Sequence, residues 1–398
     1  MATAETGNGA SYLGAEDDQA RAATPGDARF VAEIFDGADD ALAALEVIER
    51  GLIATGFQTL SWLTVFYDEV AHARRALPRL AVVTDCESDQ VVLALPLIVV
   101  KEGLLRVASL AALDGVGHGG PLLGPEPLSD VDRIRDIWRT LRAAMRDVDL
   151  IRLEGMPAEI GGRPNPLIRL FGSSTSRASV HRLDIAGSFD EYLQSLGKKY
   201  RKDVERCHRL WQSEDNPRLF CAESDDEIAH VFATMEEQQA VWHAARGTKD
   251  IFAERSTREF FERLAFDGAD AGVTSLFALE AGGRIVATLF GLTHDGTFSL
   301  LSISTGGEQW SHLSPGRLIV LETVKLLSAQ GVRYFDLGIN ANPLKHGFGT
   351  EEIPLYDLVV AQDLAAVPKA LAHELAVHLR GTSRLTSALK RALPRFRS

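Results

Sequence analysis

The sequence predicts an α/β protein (α+β in its arrangement) with two tandem modules, each a mixed, partly splayed sheet flanked by helices. The chain has 398 residues, more than one domain usually contains. Each half has helices, a hairpin, a further strand, a glycine-rich loop, a helix and another strand, in that order. Setting Val91–Leu95 against Arg284–Thr288 also places Ala94 on Ala287 within matching apolar runs. We therefore predict modules at residues 29–175 and 176–362.

The composition is that of an ordinary folded protein. Hydrophobic residues make up 45% of the chain, and the formal net charge is −13. Because a general DNA-binding protein carries a basic balance, DNA is not an expected partner. Cys86, Cys207 and Cys221 have no CxxC spacing, so we expect buried thiols and neither a disulfide framework nor a metal site.

The two ends of the chain differ from the modules. Residues 1–28 contain few large apolar side chains and predict a disordered lead-in. They show no basic region followed by an apolar run, which predicts a cytoplasmic protein, with the inner membrane surface as an alternative location. Residues 363–398 form a basic, amphipathic helical segment that can pack on the protein or contact an anionic membrane peripherally.

The elements of the N-terminal module are predicted from helical and alternating apolar patterns. In order, they are a strand at Phe30–Phe35, helices at Ala38–Gly51 and Phe57–Val70, strands at Leu80–Thr84, Val91–Val100 and Arg106–Leu110, a loop at Asp114–Glu126, a helix at Asp130–Asp147 and a strand at Leu150–Glu154. Apart from His118, the loop contains no basic residue. We therefore expect this module to support its neighbour and not to bind a donor itself.

The C-terminal module combines capping boxes with a strand meander. Its expected elements are a strand at Ser176–Ile185, helices from boxes at Ser188, Ser224 and Ser256, strands at Thr274–Glu280, Arg284–Thr293 and Thr297–Thr305, a helix at Pro315–Gln330, and strands at Tyr334–Ile339 and Pro354–Ala361. In a capping box, Ser and Glu satisfy free amides of the first turn. The first of these helices is expected to continue to about Trp211.

The order of elements in Thr274–Ala361 predicts a binding slot. Two neighbouring strands that splay apart expose backbone amides, and the helix after them directs its positive end towards the gap. Ser314 is a suitable cap, Pro315 fits a first turn and Gly316 permits close approach. An ordinary capped helix has the same three residues, so both interpretations remain open.

Several motifs appear in a characteristic order over about residues 30–390. They are Leu196–Lys202, Ile285–Ala287, Ser314–Gly316, Tyr334–Gly338 and Lys345–Phe348, with Phe57–Trp62 and Leu95–Leu97 in the first half. In these motifs the chain resembles the GNAT acyltransferase superfamily. It most resembles the tandem-module branch of CelD-like and FemAB-like proteins, with a BioF2-like acetyltransferase domain.

The resemblance implies an N-acyltransferase whose second module holds the transfer site. The donor would be acyl-CoA, bound at Ser314, Gly316 and Arg317, and the acceptor an amine of a small molecule or of a glycan precursor for exopolysaccharide or the cell envelope. Ser311 and Ser314 depart from the Arg/Gln-x-x-Gly-x-Gly/Ala pattern of CoA-binding members. Two alternatives therefore stay open: an aminoacyl-tRNA donor, as in FemAB-like proteins, and a non-catalytic effector that binds a nucleotide second messenger or a partner protein.

Two charged residues are the leading catalytic candidates. Lys345 follows a strand in a loop, where a cation can stabilise a developing oxyanion or hold an anionic donor. A solvated lysine is the ordinary alternative. Asp336 lies in a strand where Phe335 and Leu337 face the other way, so it can accept the proton of a substrate amine. Its alternative role is an ion pair with a nearby arginine, such as Arg333.

The remaining candidates are polar residues near the same loop and on one helix. His346 can act as a base near neutral pH. Asn340 can hydrogen bond a substrate, although turn chemistry explains it equally well. A cation-rich helix face can bind phosphates of a glycan precursor, a nucleotide or tRNA, while a solvated face is the usual explanation. Its candidate substrate-binding residues are Lys198, Arg201 and Lys202.

Overall fold

The computed structural model describes residues 29–113, 115–339, 345 and 347–378. In these residues a mixed sheet of 13 strands is covered by helices on both faces, which confirms the predicted α/β class. The predicted lead-in at residues 1–28 lies outside the described residues, as do residues 379–398 of the basic C-terminal segment.

The N-terminal half contributes one arm of the sheet. Its strands are β1 (Phe30–Asp36), β2 (Leu77–Asp85), β3 (Gln90–Glu102), β4 (Leu105–Leu110), β5 (Leu122–Leu123) and β6 (Leu150–Pro157), and β7 (Glu159–Ile160) with β8 (Arg163–Pro164) form a separate hairpin. Its helices are α1 (Ala38–Ile48), α2 (Leu60–Val65), which continues as a π-helix at Phe66–Ala71, and α3 (Val131–Ala144).

The C-terminal half contributes the other arm. Its strands are β9 (Ser173–Asp184), β10 (Arg218–Cys221), β11 (Thr274–Ala281), β12 (Arg284–His294), β13 (Thr297–Thr305), β14 (Tyr334–Ile339) and β15 (Glu351–Ala361). Its helices are α4 (Phe189–Ser195), α5 (Lys198–Gln212), α6 (Asp225–Arg246), α7 (Arg255–Asp270), α8 (Pro315–Ala329) and α9 (Val367–His378). Short 3₁₀ turns connect several of these elements.

The two halves share strands at the middle of the sheet. The order is β1-β2-β3-β4-β6-β15-β9-β14-β13-β12-β11-β10, with β5 beside β3. Strand β15 pairs with both β6 and β9, and β9 pairs with β14. Two pairs are parallel, β4 with β6 and β13 with β14. The last strand of the second half thus lies next to the first half, and the sheet is continuous.

One hydrophobic core joins the two halves on one face of the sheet. It contains side chains from α1 and α2 of the first half and from α6 and α7 of the second. Trp62 meets Phe260 edge to face, with ring centroids 4.9 Å apart. Arg263 donates to Asp68 at 2.8 Å beside this contact. On the opposite face, α3 covers the N-terminal strands, whereas α5 and α8 cover β11 to β14.

Helices begin at or within one residue of all three predicted capping boxes, and two of the boxes are present. Ser188 and Ser224 each accept from the amide three residues on, and the glutamate there accepts in return. The box at Ser256 is wrong, because α7 begins at Arg255 and the Ser256 hydroxyl contacts Glu254 instead. The long helix from Ser188 to Trp211 is also wrong. Extended backbone at Leu196 separates α4 from α5, and burial of the Leu196 side chain favours this break.

Helix α9 packs on the middle of the sheet. Ala366 and Ala370 contact a small core beside β15. Arg177 donates to the carbonyl of Ala376 at 3.0 Å, and Lys369 forms an ion pair with Glu102. The described part of the C-terminal segment therefore lies against the protein. Across the described ranges, no helix combines the length and hydropathy that a membrane crossing requires.

Candidate functional site

The parallel strands β13 and β14 separate after a short paired stretch. Their register runs from Thr297 opposite Tyr334 to Ser299 opposite Asp336. Beyond this point β14 contains Gly338 in a left-handed conformation, with φ 79°. Its pairing with β9 is also irregular between Asp336 and Ile339. The parallel pairing therefore stops before either strand ends, which fits the splayed pair expected from the sequence.

Helix α8 begins beside the end of β13. A side chain at Gly316 would meet Thr305 Cγ2 at 3.1 Å, so glycine permits this close approach. The amides of Arg317 and Leu318 both donate to the carbonyl of Ser314, and Pro315 has no amide proton. Within the described chain, the Gly316 amide is thus the donor of this turn that has no acceptor, and it can bind an anion.

Ser314 does not cap α8 through its side chain, so the predicted cap is wrong. Its backbone is left-handed, with φ 52°, and its hydroxyl makes no hydrogen bond to the first turn. A serine cap needs an extended backbone to direct its oxygen at those amides. The 3₁₀ helix at Glu308–Leu313 leads into Ser314 from a direction that excludes this geometry.

We expect Ser314→Gly to stabilise the protein by about 0.5–1 kcal/mol. Left-handed backbone costs a residue with a Cβ about 1–2 kcal/mol, and the greater freedom of glycine in the unfolded chain offsets part of the gain. Urea denaturation measures the change. Ser311→Gly, one helical turn earlier and without a positive φ, is the control and should not stabilise. An unchanged or lower stability of Ser314→Gly would contradict the prediction.

Arg317 links α8 to α5. Its guanidinium forms an ion pair with Asp203, and its Cζ lies 4.7 Å from the centre of the Tyr200 ring. The Nε atom is buried and has no hydrogen-bond partner in the described residues. The structure therefore places Arg317 at the start of α8, as predicted, but engages its charge with a carboxylate.

Asp336 is buried on the face of β14 that points away from α8. Only 4% of the residue is exposed, and Phe335 and Leu337 pack on the opposite face, as predicted. Its Oδ1 accepts from the Gly338 amide at 2.6 Å. Burial raises the Asp336 pKa to about 6, although that hydrogen bond and the charge of Lys345 act against the increase. Arg333 lies 3.8 Å from Asp184, and the arginine whose charge acts on Asp336 is Arg182, which also opposes the increase in the Asp336 pKa.

Lys345 is buried at the end of the splayed strand. It is 8% exposed, and its Nζ donates to the carbonyls of Gly338 at 3.0 Å and Ile339 at 2.7 Å. Burial lowers the Lys345 pKa to about 8, while the negative charge of Asp336 acts against the decrease. The alternative of a solvated loop lysine is therefore wrong. The ammonium group holds the irregular end of β14 in place.

These two pKa values predict how stability depends on pH. The folded-state pKa of Asp336 lies above its ordinary value of 3.8, so the free energy of unfolding should fall as pH rises from about 4 to 6. For Lys345 the folded-state pKa lies below its ordinary value of 10.5, so the free energy should rise from about pH 8 to 10.

Urea denaturation across this pH range measures both changes, each on the order of 3 kcal/mol. Asp336→Asn should remove the acid-side change because asparagine does not titrate. If the free energy of unfolding changes equally in Asp336→Asn and in the wild type over the acid range, other carboxylates cause that change.

The predicted basic residues border the loop that contains Lys345. Lys198 and Lys202 are exposed and Arg201 is partly buried, all in the first turn of α5. Tyr200 in the same turn packs against Phe348, with ring centroids 6.0 Å apart. Two further candidates, His346 and Asn340, lie outside the described residues.

A row of polar side chains on β12 and β13 was not predicted from the sequence. Ser304 donates to Gln238 at 2.7 Å and lies 2.6 Å from the Thr288 hydroxyl. Gln239 donates to Ser302 at 3.3 Å. These residues join α6 to β12 and β13. They lie on the same face of the sheet as Asp336, because the apolar residues that alternate with them and with Asp336 face α8. The available signal was the recurrence of hydroxyl residues in β13, an otherwise apolar strand.

A protein-family model covers the segment that contains most of these residues. The model of the GNAT acetyltransferase domain matches residues 198–346. The matched segment begins with the basic turn of α5 and includes the splayed strands, α8 and Lys345. No curated protein has a matching sequence.

Solved structures share the fold at low sequence identity. FemX has a TM-score of 0.55 and 12% identity, over 83% of this chain and 98% of that one. A protein of unknown function from Bacteroides thetaiotaomicron has a TM-score of 0.51 and 12% identity, over 80% and 97% of the two chains. The C-terminal domain of a protein classed as a lysylphosphatidylglycerol synthetase from Agrobacterium fabrum has a TM-score of 0.50 and 12% identity, over 86% and 98%. The chain therefore shares the fold of these structures, and its residues 198–346 match the model of a GNAT acetyltransferase domain.

Proposed function

We propose that the protein is an N-acyltransferase that moves an acyl group, such as acetyl, from acyl-CoA to an amine. The observation that carries the proposal is the buried carboxylate of Asp336 where β13 and β14 separate, inside the segment that matches a GNAT acetyltransferase domain. The acceptor class is a small molecule or a glycan precursor of exopolysaccharide or the cell envelope.

The donor is proposed to enter the slot between β13 and β14. The Gly316 amide would bind an anionic group of the donor, such as the pyrophosphate of acyl-CoA. The Ser314 hydroxyl lies beside it and makes no hydrogen bond to the first turn of α8. Arg317 contributes positive charge that Asp203 partly neutralises. These three residues fit an anionic donor in residue type, although serine replaces the usual glycine at position 314.

The proposed reaction uses Asp336 as a general base. With a pKa of about 6, the carboxylate is ionised near neutral pH and is basic enough to accept a proton from the amine. The amine nitrogen forms a bond to the acyl carbon, the carbon–sulfur bond breaks, and the thiolate of CoA leaves and takes up a proton. Lys345 would oppose the negative charge that develops on the acyl oxygen. His346 would be a second proton acceptor.

The acceptor is proposed to approach past the basic turn of α5. Lys198, Arg201 and Lys202 lie where they could bind phosphate groups of a sugar nucleotide or lipid-linked precursor, and Asn340 would hydrogen bond the acceptor. An aminoacyl-tRNA donor is the second candidate, as in FemAB-like proteins. It is favoured by Ser311 and Ser314, which depart from the CoA-binding pattern, and by the similarity of the fold to FemX.

A turnover assay with the full chain tests the proposal. Acetyl-CoA and an amino sugar are incubated with the protein, free thiol is measured, and the product is identified by mass spectrometry. A parallel reaction supplies aminoacyl-tRNA. We expect thiol release that depends on the amine and is lost in Asp336→Asn. Transfer from aminoacyl-tRNA alone would favour the second donor, and absence of both reactions would favour a non-catalytic effector.

A further inference from the structure

A cavity lined by arginines lies on the N-terminal half, apart from the proposed acyl-transfer site. Its volume is about 540 Å³, within the range that encloses small-molecule ligands. Trp138 and Gln362 contribute to its wall. The arginines all belong to α3 or the residues directly after it: Arg135, Arg139, Arg142 and Arg146.

The spacing of Arg135, Arg139 and Arg142 places them on one face of the helix. The intervals of four and three residues correspond to about one helical turn each, so this row is about 10 Å long, and Arg146 follows in the turn after the helix. The neighbouring stripe of Ile134, Trp138 and Leu141 is buried against the sheet. The arginine row therefore follows the edge of α3 where the helix meets the rest of the protein.

Among the described residues, two of the four guanidinium groups have no acidic partner. Arg135 and Arg139 form exposed ion pairs with Asp132 and Asp136. Arg142 instead donates from Nε to the Gln362 amide oxygen at 2.8 Å, and burial lowers the pKa of Arg142. Arg146 has neither a hydrogen bond nor an ion pair to any described residue.

The carboxylates in the cavity wall are engaged with backbone amides. Asp149 accepts from the Arg106 amide at 2.6 Å, and Asp363 accepts from the Ala365 amide at 2.8 Å. Among the residues that line the cavity, four arginines accompany these two aspartates, which gives the wall an excess of positive charge in a protein with a net charge of −13.

We propose that this cavity binds an anion with two or more phosphate groups. A guanidinium presents parallel N–H donors that match phosphate oxygens, and two guanidiniums without a carboxylate gain most from such a ligand. Because Gln362 already orients Arg142, little reorganisation is needed on binding. The Trp138 ring at the wall offers an apolar surface for a base or sugar attached to the phosphates.

Isothermal titration of the full chain with inorganic pyrophosphate and with ATP tests the proposal. We expect saturable binding of one molecule per chain that weakens at high salt. Arg146→Glu and Arg139→Glu should each lower the affinity by about tenfold or more, as expected for loss of a charged hydrogen bond. Arg50→Glu makes the same charge change at an exposed position in the turn after α1 and should retain the affinity. Tighter binding of ATP than of pyrophosphate would show that the cavity also recognises the nucleoside.

Three outcomes would overturn the proposal. The first is absence of binding at about 1 mM of either ligand, a concentration at which even weak affinity is detected. The second is that Arg50→Glu weakens binding as much as Arg146→Glu does. The third is loss of binding in Arg317→Ala but not in Arg146→Glu. The last outcome would assign the anion to α8. Acetyl transfer measured on the same variants keeps this test separate from that of the enzyme activity.

Discussion

Asp336→Asn is expected to lower kcat by about 10²–10⁴, the usual contribution of a positioned general base. Asparagine can still accept the hydrogen bond from the Gly338 amide, so the local backbone should be retained. It cannot accept a proton from the amine. Steady-state kinetics with a saturating donor measure the loss, and circular dichroism checks the fold.

The pH profile separates a base from a structural residue. The wild-type rate should rise as pH increases through about 6, where Asp336 ionises, and should fall above about 8, where Lys345 loses its charge. Asp336→Asn should lose the lower limb. Asp184→Asn is the matched control, because Asp184 is a half-exposed aspartate on the neighbouring strand. If Asp336→Asn kept wild-type activity and both limbs of the pH profile, Asp336 would be excluded as the base.

Lys345→Ala is expected to lower kcat by about 10²–10³ if its charge stabilises the transition state. The same change removes the donor to two buried carbonyls and leaves Arg182 as the remaining cation whose charge acts on Asp336. Breaking a buried charge pair costs about 3–5 kcal/mol, so reduced stability is expected as well. Chemical denaturation measured with the kinetics separates the two effects.

Two further variants separate charge from packing. Lys345→Met keeps the apolar stem and should restore part of the stability without restoring the rate. Lys345→Arg should restore little activity, because the planar guanidinium presents its charge differently from a compact ammonium. Lys325→Ala, at an exposed position of α8, is the control. Near-normal turnover in folded Lys345→Met would exclude the catalytic role and transfer charge stabilisation to the Gly316 amide.

Local sequence signals determined most elements of this protein. Apolar periodicity located the long strands of both modules, including the β12–β13 hairpin, but not the short strands β5, β7, β8 and β10. The opposite facing of Asp336 and Phe335 also followed from the alternation of a strand. The Ser188 and Ser224 boxes predicted their helices, because the hydrogen bonds that satisfy the first turn come from residues within the same turn.

Only the tertiary structure decided how the halves combine and what the site residues contact. The pairing of β15 with both β6 and β9 joins residues about 200 positions apart, and no local pattern encodes it. Burial of Lys345 depends on the irregular end of β14, and the conformation of Ser314 depends on the turn before it. A pKa shift arises from desolvation by distant parts of the chain, so the sequence identified Asp336 and Lys345 as candidates whereas only folding determined their charge states.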